Sequence, residues 1–172
     1  MPDVFTQAKR SDVMSRIRSR GNKDTELALM SVFRAHRITG WRRQMKLFIR
    51  SSRREEAHSE ISGTSGRIRK SVRASSPRLL RVQADFVFPK LRLAVFVDGC
   101  FWHGCPLHET KPRNNAAFWR KKFAANKARD RLVTRTLRRA GWRVLRIWEH
   151  ELARKREKRL VARLRRALDQ FQ

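Results

Sequence analysis

The run "LRLAVFV" (residues 91–97) constrains the fold more than any other stretch of this 172-residue chain. It is apolar everywhere except Arg92, the pattern of a strand buried on both faces. Just ahead of it, "ADFVF" (84–88) reads as a strand stopped by Pro89, and the short Pro89-Lys90 link predicts a hairpin. Downstream, "NNAAFWRKKFAANKARDRLVTRTLRRAG" predicts a long amphipathic helix closed by Gly141. Phe118, Ala125, Leu132, Val133, Thr136 and Leu137 offer its core face, with Phe118 the expected core aromatic beside Trp119. "WRVLRIW" (142–148) is a further strand, and a basic helix bearing Leu152, Leu160, Leu164 and Leu168 is expected over 151–172.

Upstream, Ser11 is placed to cap a helix with Val13, Met14 and Ile17 apolar, broken at Gly21 and Asn22. Asp24 or Thr25 is placed to cap a second, running through Leu27, Leu29, Met30, Val32 and Phe33 to near Gly40. A short extended piece follows at 41–48. The order ααββαβα describes a mixed α/β domain, and the length suits a single one over 1–172, large enough to bury about 70% of its unfolded surface. Residues 49–80 break the pattern: rich in serine and arginine, without an aromatic or a sustained period, they read as a mobile basic insertion.

Charge sets the class of partner. Lys and Arg number 43 against 15 Asp and Glu, a net +28, which is self-repelling in a compact state and points to a polyanion, nucleic acid above all. No apolar run approaches the length of a membrane span, and "MPDVFTQAKR" lacks the apolar centre of a signal peptide. The expectation is a soluble, cytoplasmic protein with no membrane partner. In that reducing setting two cysteines suggest metal ligation more than a disulfide.

The densest chemistry lies in "VDGCFWHGCPLH" (97–108). Cys100, Cys105 and His108, with His150 after the last strand, form a Cys2His2 set that suits tetrahedral zinc. The same residues also fit two buried free cysteines beside unrelated histidines, but all four fall at strand ends, where chain segments converge. Asp85 within one strand, Asp98 at the end of the next, and His103 form a second set. Buried carboxylates are costly unless paired or bound to a cation, and two of them with a histidine suit a Mg2+ ion and an activated water. An aspartate ending a strand is equally a common turn residue.

"ADFVFP", "VFVDGCFWHGCPLH", "FWRKKFAANKARD" and "GWRVLRIWEHEL", in this order, resemble the very short patch repair (Vsr-type) endonucleases, DNA mismatch nickases with a restriction-endonuclease-like fold. The resemblance covers about 8–48 and 84–152. It implies that Asp85 binds catalytic Mg2+, with the backbone carbonyl of Val97 as second protein ligand, that His103 activates the attacking water, and that Glu26 lies near that metal. It implies structural zinc at Cys100, Cys105, His108 and His150, the last standing where many relatives have cysteine. Phe101, Trp102 and Trp119 resemble the aromatics that wedge into the base stack, with Met14 entering from the other groove. Lys122 and Asn126, on one helix face with Trp119, match residues that hydrogen-bond the T:G pair. Two departures stand out: Ala84 replaces a proline of the family pattern, and the insertion lands just ahead of Asp85.

The leading expectation is therefore a Mg2+-dependent, zinc-stabilised, monomeric endonuclease nicking duplex DNA at T:G mismatches. Such mismatches arise by 5-methylcytosine deamination, which implies association with a cytosine methyltransferase system, with mismatch-repair proteins, and with a bacterial nucleoid. The alternatives are a DNA-binding protein that has lost cleavage, a nuclease of different specificity linked to a restriction-modification system, and, more distantly, an RNA-binding basic protein.

Overall fold

In the computed structural model, residues 23–50, 79–108, 112 and 115–169 are described. The expected first helix with Met14, and 51–78 of the insertion, lie outside these residues. A π-helical turn, Lys23–Leu27, leads into helix α1 (Ala28–Ala35). Strands β1 (Arg42–Arg43), β2 (Lys46–Arg50), β3 (Leu79–Gln83), β4 (Phe86–Phe88) and β5 (Leu93–Asp98) follow. Helix α2 (Ala116–Arg139) then leads to β6 (Arg143–Trp148), two 3-10 turns (Glu149–Leu152, Arg154–Arg156) and helix α3 (Glu157–Asp169).

The sheet is mixed, in the order β1-β4-β5-β6, and β2 and β3 pair separately as a two-stranded ribbon. β4 and β5 are antiparallel, joined by the turn after Phe88, in which the Leu91 N–H donates to the Phe88 carbonyl. Leu91 and Arg92 belong to this turn, so the hairpin holds but its second strand begins two residues later than the apolar run suggested. β5 and β6 are parallel, in register from Leu93↔Arg143 to Asp98↔Trp148. A parallel pair needs a crossover, and α2 supplies it.

Alternation along the strands sorts the core into two layers. Phe86, Phe88, Leu93, Val95 and Ile147 face α1 and α3, where Leu29, Val32, Phe33, Leu160, Val161 and Leu164 meet them. Val87, Ala94 and Phe96 face the other way, onto Leu137 of α2 and onto Leu47, Ile49 and Val82 of the ribbon. The central strand is thus covered on both sides, as its composition required.

Four expectations are corrected. The 49–80 segment is not structureless throughout, because Ile49↔Leu80 and Arg50↔Leu79 are paired residues of the ribbon and Ile49 is buried. Asp85 lies in a bend between β3 and β4 rather than inside a strand. No side chain caps α1, whose first turn continues from the π-helical one. On α2, Phe118 is 60% exposed and Ala125 is exposed too, while Phe123, Asn126, Thr136 and Leu137 are buried. The buried stripe runs from Trp119 through Phe123 and Asn126, one residue round the helix from Phe118.

Candidate active site and metal cluster

Parallel β5 and β6 end side by side, and those ends carry the Cys/His group and part of the cleft beside it. After β5 the chain folds into successive tight turns: the His103 N–H donates to the Gly99 carbonyl, Cys105 to Cys100, and His108 to Cys105. Gly104 carries the left-handed φ of +60° that this path needs. After β6 comes Glu149, whose Oε2 accepts the Cys100 N–H at 2.9 Å, and then His150. Glu149 ties the two strand ends together.

This brings the four soft ligands to one point. Cys100 Sγ and Cys105 Sγ lie 3.3 and 3.4 Å from His150 Nδ1, and 4.0 and 3.7 Å from His108 Nδ1. All four ligand atoms are within 4.8 Å of one another, so the cluster is able to hold a metal ion. Cys105 is fully buried. Burial pushes the Cys100 thiol above its usual value. Burial, then Arg156 and His108, hold His150 below its own, which favours the neutral, ligating imidazole. Trp148 stacks on the His150 ring, with planes 11° apart.

On the other side of the same turns lies a cleft of about 620 Å³ lined by Glu26, Asp85, Val97, Asp98, Trp102, His103, Lys122, Asn126, Asp130 and Arg146, among others. Continuing the β4–β5 register would set Ala84 opposite Val97. Instead the chain bends there, and the Val97 N–H donates to Asp85 Oδ2 at 2.7 Å. Ala84 donates its own N–H to the Met45 carbonyl at 3.4 Å, which a proline would be unable to do. Burial raises the Asp85 pKa to about 6; the Val97 bond opposes this, Glu26 and Asp98 add to it, and Arg146 opposes it. A carboxyl that costs this much to ionise beside two more carboxylates suits a hard divalent cation, which supplies the missing positive charge.

The three carboxylates are differently committed. Glu26, 5% exposed, accepts Arg43 Nη2 at 3.1 Å and Gln44 Nε2 at 2.9 Å. Asp98 receives both Arg146 Nε at 2.6 Å and Nη2 at 2.5 Å, so it serves the cleft through a bidentate ion pair. Asp85 is held by a backbone N–H alone among the hydrogen bonds described.

His103 Nδ1 lies 2.6 Å from Asp130 Oδ2 and 3.7 Å from Asp98 Oδ1. A carboxylate only accepts, so Nδ1 carries the proton and Nε2 is the basic nitrogen of the neutral ring. Arg146 Nη2 reaches Asp130 Oδ1 at 3.0 Å. Burial works to raise the Asp130 pKa, but the hydrogen bond from His103 and the charge of Arg146 bring it below its usual value. Asp130 and Arg146 were missed from sequence. The signal for Asp130 was its place four residues after Asn126 and eight after Lys122, on one helical face; Arg146, one of two arginines in β6, gave none.

The aromatics converge at the rim of the same turns. Phe101 packs edge-on against Trp102, Trp119 and Phe123 with centroids 5.1, 5.2 and 5.4 Å away. Asn126 Nδ2 donates to the Trp102 carbonyl at 2.8 Å, tying α2 to these turns. Lys122 is exposed at the cleft.

A family model described as DNA mismatch endonuclease Vsr matches residues 67–109. The chain is 51% identical over 72 residues to the Type II nicking enzyme V.NaeI of Lentzea aerocolonigenes, covering 42% of this chain and 43% of that one. It is 43% identical over 76 residues to DNA mismatch endonuclease Vsr of Escherichia coli strain K12, covering 43% and 47%. Against the Type II nicking enzyme V.NmeAIP of Neisseria meningitidis serogroup A it is 28% identical over 174 residues, covering 98% and 100%. The chain thus spans about half the length of V.NaeI and of Vsr. These matches agree with the motifs that carry the resemblance: the chain is similar to the Vsr family model over residues 67–109 and to proteins named Vsr and Type II nicking enzymes over the spans given.

Proposed function

We propose that this protein is a DNA endonuclease that uses Mg2+ to nick duplex DNA at T:G mismatches, on a restriction-endonuclease-like core braced by zinc. One observation carries the reading: a buried carboxylate of raised pKa and a histidine oriented by an aspartate line the same cleft, beside a cluster of large aromatics.

Asp85 and the Val97 carbonyl would hold Mg2+, which when bound neutralises charge on the scissile phosphate. His103 Nε2 takes the proton of the attacking water, the water oxygen bonds to phosphorus, and the P–O bond to the leaving sugar oxygen breaks. Asp130 keeps Nδ1 protonated and stabilises the imidazolium that forms, and Arg146 keeps Asp130 ionised. Phe101, Trp102 and Trp119 replace stacking lost at an opened step, which is cheapest to open at a mismatch. Lys122 and the Asn126 amide oxygen face the base pair.

For the Cys/His cluster, zinc bond lengths and a tetrahedral angle give S···N separations of roughly 3.6 Å; the four found run from 3.3 to 4.0 Å. The protein acts as a cytoplasmic monomer, serving a genome whose cytosines are methylated. A second reading, a nickase tied to a restriction-modification system with another target, is favoured by relatives named Type II nicking enzymes.

Strand-specific cleavage of T:G, other-mismatch and fully paired duplexes, with Mg2+ and with EDTA, tests both. Mg2+-dependent nicking of the T:G duplex alone is expected. Equal nicking of another duplex supports the second reading, and binding without nicking overturns both.

A further inference from the structure

Among the described residues, part of the charge excess gathers on α2 outside the cleft. Arg131, Arg135 and Arg138 follow at i, i+4 and i+7 on α2 and so share one face. All three are exposed. They line a groove of about 520 Å³ with Thr134, Arg139, Asp130 and Arg146. Asp130 and Arg146 line the cleft as well, so the groove begins at the wall that orients His103.

The groove is strongly positive. Its one carboxylate, Asp130, is already matched by His103 and Arg146, and no acidic side chain among the described residues pairs with Arg131, Arg135 or Arg138. Unpaired guanidiniums in a row repel one another, so such a stripe is stabilised by an anion with several evenly spaced charges. From Arg131 to Arg138 the helix rises about 10 Å, the reach of roughly three successive phosphates along one strand of a duplex.

We infer that Arg131, Arg135 and Arg138 form a phosphate track that holds the DNA backbone on the side of the cleavage site beyond Asp130. The inference rests on the proposed action on DNA, and it deepens it. The track grips the backbone without reading bases, so it contributes affinity and leaves mismatch choice to the aromatics.

The test is salt-dependent binding of a T:G duplex in Mg2+-free buffer. The comparison is between wild type, an Arg131→Ala, Arg135→Ala, Arg138→Ala variant, and a control with equal charge loss on exposed sites before and on α3, Lys155→Ala, Lys158→Ala, Arg165→Ala. Each lost phosphate contact lowers the slope of log K against log [salt] by about 0.9. The track variant should therefore lose roughly 2–3 in slope, and the control less than one. Single-turnover nicking at saturating DNA should stay within about threefold of wild type, as expected for lost backbone grip rather than lost chemistry. An unchanged slope, or an equal loss in the control, overturns the inference. Single arginine variants, each expected to lose about one in slope, carry the test if the triple variant misfolds. Because the slope is read without cleavage, a chain that binds but never nicks would refute the catalytic proposal and leave the track intact.

Discussion

The two strand ends support two sites built on opposite principles. The Cys/His cluster gathers four ligands to one point, three of them from a nine-residue loop. The cleft spreads its charges over a π-helical turn, a bend, two strand ends and a long helix, and links them by hydrogen bonds at 2.5 to 3.1 Å. The first is a compact group of four possible metal ligands, which suits the proposed structural role. The second leaves one oxygen of Asp85 and one nitrogen of His103 without a hydrogen bond among those described, which suits the proposed chemistry. Glu149 and Asn126 couple them, because each fixes the turns that carry both Cys100 and His103.

The sharpest way to break the comparison is to damage the Cys/His cluster. Cys105→Ser should lower bound zinc from about one per chain towards zero, and cost most of the folding stability, since structural zinc contributes folding energy directly. Metal analysis and thermal unfolding read this; unchanged zinc stoichiometry would remove the cluster's role. Damage to the cleft should look different. His103→Ala should slow single-turnover nicking about 10²–10⁴-fold while zinc content and melting temperature stay near wild type. If stability falls as far as in Cys105→Ser, the two sites are not separable.

Asp130→Asn should also slow nicking, by up to about 10⁴-fold, because an amide no longer fixes the proton on Nδ1. It also carries a pH signature. The folded-state pKa of Asp130 is lowered, so its stabilisation is present above the ordinary carboxylate value and disappears as pH falls through the lowered one. Acid unfolding of the Asn variant should lack that component; an identical acid limb would contradict the ion-pair account. Smallest of all should be Phe118→Ala. An exposed ring should change stability by no more than about 0.5 kcal/mol, whereas Phe123→Ala should cost about 3–5 kcal/mol. The reverse order would restore Phe118 to the core.

How far each site was legible follows from its build. Cys100, Cys105 and His108 lie within one loop, so spacing alone announced them, and the central strand declared its burial by composition. The hairpin, the crossover helix and β6 were equally local. β3 escaped because its partner lies across the Ser/Arg-rich segment, where only the pairing of 79–83 with 46–50 reveals a strand. Arg146 escaped because a charge in a strand reads as solvent-facing until Asp98 and Asp130 are seen around it. Phe118 and Trp119 are neighbours on a helix, and a pattern that tolerates either face does not say which ring turns inward.

The central claim is that Asp85 serves cleavage and not recognition. Its most direct test is Asp85→Ala assayed on one T:G duplex for both Mg2+-dependent nicking and binding. Nicking abolished with mismatch affinity within a few-fold of wild type is the predicted result. Nicking that survives the substitution would contradict it.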